Sequence, residues 1–348
     1  MRLSQQELDA ARAEVDQAAS LTEALWRIAA ASAPAGDIAV AQQAAQILMR
    51  TAPLASLIPQ GRINPVGPVP VSPADSDPLA SNQARFQVLY LNSRGLAIAA
   101  QLDRVRERFD PDEGDLLAVF ACDAIGSASK TGMLVHAFQH FWAGQDDAAV
   151  HLTLPRVEDL LREIERGLNV PVVSVAQGKT PGGLSQLGSL IAAMPIAGFD
   201  PNWTRSFDLL LTDGEHGLNL RNEVGHGLCD RPPRHHVALA LHAALFLLAV
   251  AHGVIALPPR ESEAGTGTDL RTGRSKHAAR LADDHLAVPA LLRRRCHPGT
   301  DQEPGGRDRH RADHRSLQEQ HAAVAECAAA MANLHGGLIL IVPFGAEL

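Results

Sequence analysis

Arg221, Asn222 and His226 stand together in the stretch DGEHGLNLRNEVGHGLCD, residues 213–230. Arginine neutralises a phosphate, a carboxamide orients it, and an imidazole moves a proton near neutral pH. Together those three groups could cleave RNA without a metal. The bare spacing of an arginine, four residues and a histidine recurs at Arg231–His236, Arg280–His285 and Arg309–His314, so spacing alone carries little. The first match is set apart by Asn222 directly after the arginine, Gly227 directly after the histidine, and GLNL upstream. Asn222 and His226 are four apart and stack on one face of a helix. Arg221 would point roughly 140° away from His226 at about 100° per residue. Its side chain must then curl back, or Gly225 must loosen the turn. The competing reading is structural: Arg and Asn capping helix ends, His held in a buried hydrogen bond.

As chemistry, His226 would take the proton of a ribose 2′-OH or protonate the leaving 5′-oxygen. Arg221 would stabilise charge on the phosphorane, and Asn222 would hold a phosphate oxygen or orient the imidazole. The products are a 2′,3′-cyclic phosphate and a 5′-hydroxyl. One histidine does not easily serve both ends of one bond. Glu223 is a lesser candidate for tuning the site and reads as solvent-exposed. Gly227 and Lys179 complete the set of candidate binding residues, Lys179 from a glycine-rich loop that would lie near the motif.

Other clusters are weaker. His136 and His140 are spaced for one metal, but Ala137 stands where the zinc-protease pattern needs Glu, and no third ligand is evident. Beside Val135, Phe138, Phe141 and Trp142 they read as helix-packing residues. Gly178, Lys179 and Thr180 end like a phosphate-binding loop. The first glycine of that pattern would fall at Val173, and Pro181 disfavours the helix that should follow. His235, His236 and Arg293–Arg295 read as solvated. Cys122, Cys229, Cys296 and Cys327 form no CxxC pair, as expected of a reduced compartment without a cysteine-rich zinc site. No metal or cofactor is expected.

The elements that must position the motif read as helices. Ser4 and Glu7 make a capping box that opens a helix through about Ala31, with Leu8, Val15, Leu21 and Leu25 on its apolar side. AVAQQAAQILMR is a second helix within an N-terminal region, residues 1–52. Residues 53–84, rich in proline, read as a linker. In 85–145, Phe86–Leu91 fits a strand or a helix start, and Gly95–Phe109 and Glu113–Trp142 read as helices. Leu154, Val157, Leu161, Ile164 and Leu168 form one apolar seam, with Pro155 in the first turn and Gly167 and Asn169 at the end. After VPVVSV and the glycine-rich loop come Leu184–Met194 and Pro201–Leu211, the latter capped by Asp200. Pro232 and Pro233 then separate the motif from the uncharged run Val237–Leu257. That run is about long enough to span a bilayer. His242 and His252 inside it, and the absence of Trp and Tyr, favour the central helix of a bundle.

Residues 258–315 contain no Phe, Tyr, Trp or Ile and cannot bury enough surface to offset chain entropy. They read as disordered, or as translated out of frame from GC-rich DNA. Residues 316–348 read as a short accessory helix and an apolar terminus. Lys occurs only at Lys130, Lys179 and Lys276, and the net charge of −8 argues against broad nucleic-acid coating. An N-terminus rich in acids and glutamines is unlike a secretion signal, so a cytoplasmic location is expected.

The stretch from about Leu154 to Leu257 resembles a bacterial family of domains of unknown function marked by RNxxxHG and grouped with the HEPN superfamily. The resemblance covers roughly a third of the chain. It rests on LPRVEDLLREIERGL, GKTPGGLSQLGSL, and GLNLRNEVGHGL with the apolar run after it. It implies a mainly α fold, a HEPN-like helical bundle over 146–257. It also implies metal-independent ribonuclease activity with RNA as substrate, a toxin or defence role, and a site completed by a homodimer. Arg221, Asn222 and His226 match the family's catalytic positions. Some members only bind nucleotides or partners, so a non-catalytic helical module is the alternative, and a membrane-anchored helical protein is a third.

Overall fold

The computed structural model describes residues 3–53, 63–64, 67–68, 77–122, 128–174, 182–229 and 231–257. Lys179, within residues 175–181 of the glycine-rich stretch, and everything after residue 257 lie outside the described residues.

Helix α1 (Gln5–Asp16) opens with the expected capping box: the Glu7 N–H donates to Ser4 Oγ at 3.3 Å, and Ser4 N–H donates to Glu7 Oε2 at 2.7 Å. The single helix expected through Ala31 is broken. Ser20 caps a new helix, α2 (Leu21–Ala29), by accepting the Glu23 N–H at 3.2 Å. The Ala19 N–H donates to Glu23 Oε2 at 2.8 Å. Local side-chain bonds thus outcompete the next helical turn. Asp37 caps α3 (Ile38–Thr51). Strands β1 (Ile63–Asn64) and β2 (Gly67–Pro68) form one antiparallel pair.

Helix α4 (Pro78–Phe109) starts inside the stretch read as linker and absorbs Phe86–Leu91, which is therefore helical. Asp77 caps it and Pro78 occupies its first turn, where a missing N–H costs little. It is followed by α5 (Glu113–Phe120), α6 (Ala128–Trp142) and α7 (Asp146–Gly167). The seam from Leu154 to Ile164 is buried as expected, but α7 begins eight residues before Leu154. Pro155 consequently lies in its interior instead of its first turn. The carbonyl left without a partner there belongs to His151, and both residues are exposed, so water can satisfy it.

Strands β3 (Val173–Ser174) and β4 (Gly183–Leu184) pair antiparallel. Three short helices follow: α8 (Leu187–Ala193), α9 (Pro201–Leu211), capped by Asp200 as expected, and α10 (Leu220–Gly225). The long apolar run becomes α11 (Arg234–Ala251). Every residue from Val237 to Ala249 is buried, against α2, α4, α6, α7 and α9. Each large apolar side chain there contributes about 1.5–3 kcal/mol. The run is long and apolar enough to cross a membrane, and in this structure it is the central core helix. Trp203 stacks on Phe246 with ring centroids 3.6 Å apart, fixing α9 to α11. His242 is fully buried and donates its Nε2 proton to the Ile28 carbonyl at 2.9 Å.

One apolar core runs from Val15 to Ala249, so the expected boundary between residues 145 and 146 does not divide the core. The fold is mainly α, a helical bundle, with the N-terminal helices built into it.

Candidate functional site

The motif sits on α10, and the chain reaches it through a tight loop. Leu218 N–H donates to the Leu209 carbonyl at 2.6 Å, folding the loop back on α9. Gly217 is required for this approach: a Cβ there would lie 2.3 Å from the Leu209 carbonyl oxygen. Asp213 holds the bend by accepting the N–H groups of Glu215 (3.1 Å) and His216 (2.8 Å), and Arg205 reaches the same carboxylate at 3.1 Å. Burial alone would raise the Asp213 carboxyl. The His216 N–H and the Arg205 guanidinium outweigh it and hold the group below its ordinary range.

Asn219 takes the left-handed conformation at φ 50° and starts the helix. Leu220 and Val224, four apart, are buried and fasten α10 to α7 and α9. The end is a Schellman motif: Leu228 N–H donates to the Glu223 carbonyl at 2.8 Å and Gly227 N–H to the Val224 carbonyl at 3.1 Å. His226 is the C-cap residue, and Gly227 follows at φ 65°, in the left-handed region that disfavours a side chain. Gly227, a candidate for binding from sequence, thus has a sufficient structural reason to be glycine.

Arg221, Asn222 and Glu223 are half-buried, while His226 is exposed. Arg221 Nη1 donates to Asn222 Oδ1 at 3.1 Å, and Asn222 Nδ2 donates to Asn219 Oδ1 at 2.8 Å. The carboxamide therefore orients the guanidinium; it does not bond the imidazole. Among the described residues, the Arg221 side chain has no carboxylate partner, and the His226 ring has no hydrogen bond or ring contact. His226 is joined to Asn222 through the backbone, its N–H donating to the Asn222 carbonyl at 3.0 Å. The helix thus presents a guanidinium tied through a carboxamide, and an imidazole one turn away open to solvent. Such a set can hold a phosphate and exchange a proton. The Glu223 carbonyl accepts both Leu228 and Cys229 N–H groups, and its half-burial departs from the exposed position expected.

Other groups fall elsewhere. His136 is exposed, and His140 bonds Gln145, so neither packs in the core as expected. Among the described residues no three His, Cys, Asp or Glu side chains gather as a metal site. His235 and His236, read as solvated, are half-buried. Both donate an Nε2 proton to Asn92 Oδ1, at 3.1 and 2.8 Å. Their partner lies more than 140 residues earlier on α4, and no local pattern announces it. Arg234, beside them, is held by Asp103 (2.5 Å), Asp146 (3.0 Å) and the Phe141 ring, 3.7 Å from its centroid. Sequence reasoning also missed a cleft of about 340 Å³ between α8 and α9, lined by Ile191, Pro195, Thr204, Arg205 and Asp208. It missed Glu165 as well, whose side chain is fully buried, with neither carboxyl oxygen hydrogen-bonded among the described residues.

No family model matches the chain, and neither a curated protein nor a solved structure matches it.

Proposed function

We propose that the chain is a HEPN-type, metal-independent endoribonuclease acting in the cytoplasm, with a toxin or defence role. The observation that carries this reading is the pairing on one short helix of Arg221, oriented by Asn222, with the solvent-open imidazole of His226. Arg221 binds the scissile phosphate and stabilises the charge that builds on its equatorial oxygens. His226 takes the proton of the ribose 2′-OH as that oxygen attacks phosphorus. The bond to the 5′-oxygen breaks, leaving a 2′,3′-cyclic phosphate, and the 5′-oxygen needs a proton. In this proposal a second copy of the chain supplies it, with two α10 helices facing across a two-fold axis.

A second reading is a non-catalytic module that binds a nucleotide or a protein partner. It is favoured by one observation: Asn222 spends its carboxamide on Asn219 and Arg221, which a purely structural helix start would also need. End analysis of RNA incubated with the protein separates the two. Cyclic phosphate on the 3′ ends supports the nuclease; intact RNA, bound or not, supports the module.

A further inference from the structure

We infer, on the nuclease reading of α10, that Arg85 of α4 binds a phosphate of the RNA strand other than the scissile one. Ser81, Arg85, Val88 and Asn92 follow one another at spacings of four, three and four. At about 100° per residue they lie within about 40° of one line along α4. Both ends of that line are tied to chain that flanks the motif. At one end Ser81 Oγ meets His216 Nε2 at 3.1 Å, in the loop that enters α10. At the other, Asn92 Oδ1 accepts from His235 and His236, at the start of α11, the helix after α10. Arg85 stands between these ties, one turn from Ser81. A long side chain on a helix leans over the turn N-terminal to it, so the guanidinium of Arg85 lies toward Ser81 and His216.

The fold itself makes no polar use of Arg85. The residue is half-buried, and among the described residues its guanidinium has no hydrogen bond, ion pair or ring contact. On the same helix Arg104 is paired with Asp16 at 2.8 Å and Glu107 at 3.1 Å, and Arg106 with Asp110 at 2.8 Å. Carboxylates are not scarce in this chain, at 39 against 31 lysines and arginines. Burial pushes the Arg85 guanidinium below its ordinary range, and no neighbouring charge offsets it. A desolvated cation without a partner costs stability, which an arriving anion recovers. RNA carries a phosphate at every nucleotide, so a strand held at Arg221 brings further phosphates past a second guanidinium. Contacts of that kind set register and orientation without reading sequence.

The test is binding of a short, fluorescein-labelled 2′-O-methyl RNA of mixed sequence to the full chain, followed by anisotropy in EDTA over a range of salt concentrations. Such an RNA has no 2′-OH to attack phosphorus, so binding is read without cleavage. Arg85→Met keeps the stem of the side chain and removes its charge. It should weaken binding about tenfold, the loss of one charge-assisted hydrogen bond. It should also flatten the slope of log Kd against log salt by about 0.7, the share of one phosphate on a single strand. The same variant should raise the urea midpoint, because a desolvated, unpartnered charge is gone. A residue kept for packing alone would lower that midpoint and leave the salt slope as it is. Arg104→Met removes the same charge from the same helix and should leave the slope unchanged, since Asp16 and Glu107 already neutralise that guanidinium. Circular dichroism checks each fold, and Arg85→Gln takes the place of Arg85→Met if the latter does not fold. No binding by the wild type, a slope unchanged in the folded Arg85 variant, or an equal flattening in Arg104→Met would overturn the assignment. Cleavage of unmodified RNA is read separately. A wild type that binds through Arg85 and cuts nothing keeps this phosphate contact and loses the nuclease; one that cuts and binds RNA without need of Arg85 loses only the contact.

Discussion

Arg221 donates to Asn222 Oδ1 at 3.1 Å, so the cation of the proposed site is steered by the carboxamide next to it and by no carboxylate among the described residues. A guanidinium steered by a neutral carboxamide keeps its charge for an incoming phosphate. Arg221→Ala should lower the rate of RNA cleavage by about 10²–10³, the usual loss for removing one donor to a developing oxyanion. Asn222→Ala should lower it less, because it removes only the tether. Single-turnover cleavage rates read the difference. Equal losses would mean that Asn222 touches the phosphate itself.

Two glycines of the motif should respond in opposite senses. Gly227 lies at φ 65° and ends α10, so Gly227→Ala should destabilise the fold by about 1 kcal/mol. Gly225 lies inside α10 with open space where an added Cβ would stand, so Gly225→Ala should stabilise by about 0.5–1 kcal/mol. Urea midpoints of both variants check this. Lost cleavage by Gly227→Ala without lost stability would mean that Gly227 contacts substrate.

The loop before α10 and the crossing of α4 with α11 each depend on a missing side chain. Gly217→Ala would bring a Cβ to 2.3 Å from the Leu209 carbonyl oxygen, and Gly95→Ala to 2.8 Å from that of His235. In both cases the obstacle is backbone, so each variant should lose about 1–3 kcal/mol. Thermal melts should show Gly217→Ala as the more damaged of the two.

Stability should be flat at mildly acidic pH and fall on both sides. Burial, with the nearby Arg94 charge, pushes His242 down to about 3 from 6.5, against a hydrogen bond to Ile28. Below pH 6.5 the unfolded chain therefore takes up a proton that the fold refuses, and stability drops as pH falls toward 3. Burial pushes Glu165 up to about 8 from 4.5, against the Arg162 charge. Above pH 4.5 the unfolded chain loses a proton that the fold keeps, and stability drops as pH rises toward 8. Between pH 4.5 and 6.5 the two slopes oppose each other, each at about 1.4 kcal/mol per pH unit. Denaturant unfolding across pH should give that plateau, and Glu165→Gln should remove the decline between pH 6.5 and 8. An unchanged alkaline limb in that variant would show that Glu165 is ionised in the fold.

Much of the scaffold was legible because its signals are local. Ser4 with Glu7, Asp200 before Pro201, and the seam through Leu154, Val157, Leu161 and Ile164 each declare themselves within a few residues. The break at residues 17–20 was hidden because it rests on Ser20 and Glu23 bonding backbone groups inside an otherwise helical pattern. Pro155 misled because its tolerance inside α7 depends on which face meets water, a tertiary fact. At the site, the adjacency of Arg221 and Asn222 was readable, but the direction of the carboxamide was not, since Asn219 decides it. The contact of His235 and His236 with Asn92 links residues far apart in the chain and leaves no mark in sequence.

The central claim is tested most directly by incubating RNA with purified protein in EDTA, with a folded His226→Ala variant as the matched control. The account predicts cleavage by the wild type to 2′,3′-cyclic phosphate and 5′-hydroxyl ends, and a rate at least about 10²-fold lower in the variant. Equal cleavage by both proteins, or intact RNA with a well-folded wild type, would contradict it.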